Sequence, residues 1–170
     1  MVDTDTIHKL LEEVKDPEIP VLSIAEMGIL DSVIFENGKF EINIIPTYNG
    51  CPAMDLIQLE IREKLFGAGI KNYSLHLRKS PPWSTDRMSA EALAKMEAYG
   101  IAPPQNNIAI GDLLSGHSRI VCPQCGSSHT EVQSAFGSTA CKAMMRCLDC
   151  LEPFEYFKCF KIPSAQAQFS

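Results

Sequence analysis

Two cysteine pairs, Cys122-Pro123-Gln124-Cys125 and Cys147-Leu148-Asp149-Cys150, stand twenty-one residues apart near the C-terminus of this 170-residue chain. Each C-x-x-C turn sets two sulfurs on one side of a tight loop, and two such loops together close a tetrahedron of thiolates around zinc. Gly126, directly after the first pair, suits a turn that needs a positive backbone dihedral. A rubredoxin-like iron would use the same four sulfurs. Zinc is the expectation, and a colourless rather than red protein would bear it out. His117 and His129 flank the first pair and could compete as ligands, a role that four thiolates make unnecessary.

Cys51 sits immediately before Pro52, which suits the first turn of a helix. The partial positive charge at a helix N-terminus favours the thiolate, the form that binds metal and attacks electrophiles. Equally, Cys51 reads as a small apolar residue in a cap. Asp16 and Glu18 lie in a proline-bracketed loop that comes near Cys51 if the first helix packs over the sheet; taken alone they read as cap and turn residues. Cys141 and Cys159 remain as buried fillers of the metal module, or as a replacement ligand or redox thiol. No nucleophile, base and orienting group form a recognisable trio, and there is no phosphate loop or open catalytic metal site. The residues point away from catalysis.

The elements that position these groups follow from periodicity. Ile7, Leu10, Leu11 and Val14 keep the i, i+3, i+4, i+7 rule and predict an amphipathic helix over 4–15, stopped by Asp16-Pro17. Branched residues from Ile29 to Phe35, then Phe40, Ile42 and Ile44 alternating with polar neighbours, predict a hairpin turned through Asn37-Gly38 in type I′ geometry. Met54, Ile57, Ile61 and Leu65 line a second helix that Gly67 ends, and Tyr73, Leu75 and Leu77 form a third strand. The fold class is α+β: an αββαβ domain over 1–80, then a four-cysteine zinc ribbon over 119–162 with strands near 130–136, 143–146 and 154–160. A proline-rich connector over 81–118 carries a short helix, Ser89 to Tyr99, and a linker from Ile101 to Ser118. Residues 163–170 read as a flexible tail. The ribbon is too small to bury a core, so the metal supplies the folding energy that packing cannot.

Composition narrows the partners. The net charge is −6; from Arg119 onward five Lys/Arg face four Asp/Glu, about +1, which leaves about −7 upstream. Nucleic-acid binding leans on a concentrated basic face, which neither part offers, so a protein partner is expected instead. No apolar run is long enough for a bilayer, and the start Met1-Val2-Asp3-Thr4-Asp5 lacks the pattern of a secretion signal. An odd number of cysteines, partly in C-x-x-C pairs, suits metal ligation in a reducing compartment. A cytoplasmic protein is expected.

Asp16-Pro17-Glu18-Ile19-Pro20, then Ser23-Ile24-Ala25-Glu26-Met27-Gly28-Ile29, Thr47 and Gly50-Cys51-Pro52 resemble the SufT-like domains of iron-sulfur cluster assembly over roughly residues 1–80. Pro81-Pro82-Trp83-Ser84-Thr85-Asp86, Cys122-Pro123-Gln124-Cys125-Gly126, the segment Phe136 to Lys142 and Phe154 to Lys158 extend the likeness to nearly the full length. The whole chain is similar to the D subunits of bacterial phenylacetyl-CoA epoxidase. That resemblance implies an accessory component of aerobic phenylacetate degradation that assists iron-sulfur or di-iron centre assembly in the oxygenase or reductase. Cys51 would be a transient iron or cluster ligand, assisted by Glu18 or Asp16. One cysteine per domain cannot hold a cluster, so a homodimer or a client complex is implied. The alternative is a structural component of the complex that docks through the ribbon and Trp83, the sole tryptophan, as an aromatic anchor.

Overall fold

The computed structural model describes residues 2–105, 108, 110–116 and 120–158, with Ile110 as backbone. Helix α1, Thr4–Leu11, starts where the Asp3 carboxylate accepts the Thr6 amide at 2.8 Å, a side-chain cap on an otherwise unpaired donor. It ends earlier than the apolar spacing predicts. Val14 keeps its place in the core, but its carbonyl accepts the Ile24 amide, and Lys15 bridges to Ser23, so the backbone pairs with the returning loop rather than with another helical turn.

Strands β1, Leu30–Glu36, and β2, Lys39–Ile44, form the expected antiparallel hairpin. Asn37 and Gly38 both take positive φ, 52° and 76°, as a type I′ turn requires. Helix α2, Ala53–Gly67, then crosses to β3, Tyr73–Leu77, which lies parallel to β2 in the order β1-β2-β3. Met54, Ile57, Ile61 and Leu65 are all buried, as their spacing predicts. The helix ends at Gly67 as expected, and the positive φ that stops the chain falls two residues on, at Gly69. The Gly69 amide donates to the Phe66 carbonyl and that of Ile70 to the Leu65 carbonyl, a Schellman stop closed by two buried side chains.

Beyond β3, a 3₁₀ turn at Thr85–Arg87 leads into α3, Ala90–Ala98, capped by the Ser89 hydroxyl. The segment expected as a linker is partly built into the second sheet: β4, Ile101–Ala102, pairs in parallel with β7, and α4, Ile110–Leu114, follows. Strands β5, Thr130–Ser134, β6, Lys142–Cys147, and β7, Pro153–Phe157, complete that sheet in the order β4-β7-β6-β5. The tail expected over 163–170, together with Cys159 and His117, lies outside the described residues.

Trp83 is not an exposed anchor. It is 3% exposed, its indole N–H donates to the Met27 carbonyl at 2.9 Å, and its ring meets Phe157 of β7 edge-on at 6.0 Å between centroids. One apolar core thus runs from α1 and α2 through Trp83 into Cys141 and Phe157 of the ribbon. A second, smaller core lies inside the ribbon around Ile120, Met145 and Tyr156.

Candidate metal sites

The four ribbon sulfurs converge. Among the described residues, Cys122, Cys125, Cys147 and Cys150 are the one group of three or more His, Cys, Asp or Glu whose ligand atoms all lie within 4.8 Å of one another. Cys122 and Cys150 Sγ are 3.8 Å apart, Cys125 and Cys147 Sγ 3.5 Å. Those spacings are too long for disulfides, and they match the edge of about 3.8 Å in a tetrahedron with Zn–S bonds of about 2.3 Å. The set fits zinc as a structural ion, because four thiolates leave no position open for a substrate.

Local backbone explains the convergence. In the first knuckle the Gly126 amide returns to the Cys122 carbonyl, and Gly126 has φ 75°. In the second, Leu151 follows Cys150 with φ 66°, so an exposed leucine takes the conformation that glycine takes in its counterpart. The amides of Cys150 and Asp149 favour the Cys147 thiolate, while the neighbouring sulfurs push the Cys125 and Cys150 thiols up. His129 is no ligand here: its Nδ1 pairs with Asp149 at 3.0 Å, and Asp149 is also held by the Ser127 hydroxyl.

The second constellation joins the two domains. Asp16 is 5% exposed, and its Oδ1 accepts the amides of Glu18 and Ile19, each at 2.8 Å, which fixes the loop that presents Glu18. Burial pushes the Asp16 carboxyl up despite those two donors. Cys141, which enters β6, donates its thiol to Glu18 Oε2 at 2.9 Å and lies 3.0 Å from Thr139 Oγ1. The neighbouring Lys142 reaches the Glu18 carbonyl at 3.3 Å and pairs with Glu155 at 2.8 Å, so a buried cation pins the acidic loop to the ribbon.

Cys51 is half-buried at the head of α2. Its thiol is raised rather than lowered: burial outweighs the Ala53 amide, and the Glu18 and Asp16 carboxylates add to the rise while Thr47 opposes it. Against the pull of the helix terminus, burial is the main cause that disfavours the Cys51 thiolate, and the acidic loop adds to it. Tyr48 connects the group. Burial pushes its hydroxyl up to about 12, with Cys51, Glu18 and Cys141 all acting on it and Cys51 hydrogen-bonded to it. Cys141 is likewise pushed up to about 12, by burial and then by its bond to Glu18. A cleft of about 240 Å³ adjoins this site, lined by Thr47, Tyr48, Lys79 and Trp83 among others.

Comparison with known proteins matches both halves of the chain. The profile of an iron-sulfur cluster assembly protein matches residues 4–69, and that of the PaaD zinc beta ribbon domain matches 109–158. A protein of Escherichia coli strain K12 described as the D subunit of 1,2-phenylacetyl-CoA epoxidase is 41% identical over 153 residues, covering 90% of this chain and 91% of that one. The chain belongs to the phenylacetyl-CoA epoxidase D subunits. Two further relatives each match about half of this epoxidase component. A Fe-S protein maturation auxiliary factor of Porphyromonas gingivalis is 32% identical over 94 residues, 54% of this chain and 89% of that protein. A solved DUF59 domain of unknown function from Bacillus anthracis is 27% identical with a TM-score of 0.50, covering 55% and 90% of the two chains.

Of the residues singled out by sequence, the four ribbon cysteines cluster as expected, and Glu18 and Asp16 lie close enough to Cys51 to act on its thiol. What sequence reasoning missed is that Cys141 meets Glu18 across 123 positions of chain, and that Tyr48 stands among them. The lone signal for Cys141 was its turn, Gly137 to Lys142, within the family pattern.

Proposed function

We propose that this chain is a non-catalytic accessory factor that assists assembly of an iron-sulfur or di-iron centre in its partners, the other components of the phenylacetyl-CoA epoxidase. Cys51 is the transient iron ligand, and Glu18 the carboxylate beside it. Asp16 works one step back, holding the loop that presents Glu18. The observation that carries this reading is a half-buried thiol at the head of α2 within electrostatic reach of two carboxylates, in a domain whose relatives include Fe-S protein maturation auxiliary factors. A thiol and a carboxylate together suit iron in transit, since soft and hard donors give a site of intermediate affinity. The reading as a structural docking component loses its anchor, because Trp83 is packed into this chain's own core.

The test is co-expression of the epoxidase components with Cys51→Ala in place of the wild-type chain. The variant is expected to fold, retain zinc and co-purify with its partners, while iron in the oxygenase and cluster in the reductase fall to the level found when this chain is left out. Full metal loading with Cys51→Ala would overturn the proposal and favour scaffolding.

A further inference from the structure

A factor that serves other proteins must dock on them, and α2 offers a face for it. We infer that the outward stripe of α2, Leu56, Leu59 and Phe66, docks an epoxidase component through a helix whose apolar face is edged by lysine or arginine. The inference rests on the reading of those components as partners, not on Cys51 as a cargo ligand.

At 3.6 residues per turn, Leu56, Leu59, Glu63 and Phe66 fall within about 80° of the helix circumference, opposite the buried Met54, Ile57, Ile61 and Leu65. A helix that packs on one side needs one apolar stripe, and α2 has two. The three outer apolar side chains are 44%, 51% and 77% exposed, and Phe66 is the most exposed large apolar residue among those described. Such residues scattered singly are ordinary, but three aligned along about 15 Å of one helix form a patch. Beside the patch lies an open groove of about 630 Å³, lined by Leu10 of α1 and by Glu60, Glu63, Gly67 and Ala68. It gives room for the side chains of a second helix.

Charge selects the occupant. Asp55, Glu60 and Glu63 lie in or beside the stripe, Lys64 is already engaged by Glu13 at 2.6 Å, and Arg62 alone of the α2 cations stands against them. A second copy of this chain would set those carboxylates against themselves, whereas lysine or arginine bordering an apolar face would meet them. The stripe begins about one and a half turns beyond Cys51, so a component seated on it is held at the end of the helix that carries the proposed cargo thiol.

The test titrates the full-length, zinc-loaded chain with the purified oxygenase and reductase components at low and at physiological salt. Wild-type binding to one component, weakening as salt rises, is expected. Leu59→Ser, Phe66→Ser and Glu63→Lys should each weaken it by about tenfold or more, with zinc content and Trp83 emission unchanged. Wild-type binding by the two serine variants overturns the inference and leaves the Cys51 reading standing. Weakening by the serine variants alone, with Glu63→Lys and salt both without effect, overturns the basic partner. If the wild-type chain binds no component, the proposed function falls and this inference with it. Contact is read directly with benzoylphenylalanine in place of Leu59, which on illumination must crosslink to a helix of that component bearing lysine or arginine. A crosslink to a second copy, to the same chain, or to nothing overturns the docking site.

Discussion

Asp16 shows how a residue can matter to a proposed site through the loop it holds. Its Oδ1 holds the Glu18 and Ile19 amides in a buried loop. Asp16→Ala would strand one buried and one part-buried donor and should cost about 2 kcal/mol in urea unfolding. Asp16→Asn keeps an oxygen in that place and removes a charge that burial already disfavours, so it should be close to neutral. Equal losses in the two variants would show that charge, not the loop hydrogen bonds, is what counts. At this scale the sequence exposed the thiols whose meaning is local. Four sulfurs in two C-x-x-C turns declare their geometry within a few residues, and Cys51 declares its helix through Pro52. Glu18 and Cys141 meet only because the ribbon lies on the first domain, and no spacing within either segment encodes that contact.

Among the elements, the second zinc knuckle carries a visible cost. Leu151 holds φ 66° with its side chain exposed, so it bears the left-handed penalty without packing in return. Leu151→Gly should stabilise the zinc-loaded ribbon by about 1 kcal/mol, measured as chelator resistance or denaturant midpoint. A destabilised variant would mean that the leucine makes a contact in solution that offsets its strain. Regular elements were readable: the hairpin through Asn37-Gly38 and the buried stripe of α2 follow directly from turn chemistry and period. Strand β4 was not, because two residues, Ile101–Ala102, show no period, and their pairing with β7 is decided across the chain.

On the scale of the whole molecule, the two domains share a core rather than a tether. Trp83 lies between Met27 and Phe157, so its emission reports whether the ribbon is seated. In denaturant, zinc release and Trp83 exposure should follow one transition with a common midpoint. Two separated transitions would show the domains unfolding independently. Stripping zinc with a chelator at neutral pH should by itself shift Trp83 emission to the red. Sequence reading put this tryptophan in a stiff connection, exposed only in the docking alternative, because two prolines precede it and no apolar period includes it. Its burial depends on two surfaces that periodicity describes only one at a time. No helix among the described residues is long and apolar enough to cross a membrane.

Strand β6 ends at the zinc ligand Cys147 and begins one residue after Cys141. At about 3.3 Å per residue it fixes the span between the two thiols at about 20 Å. Loops elsewhere in the ribbon can grow or shrink at little expense, but a single residue added here would swing Cys141 to the opposite side of the sheet. The seven positions from Cys141 to Cys147 are therefore a gauge block, tolerant of changes in side chain but not in length.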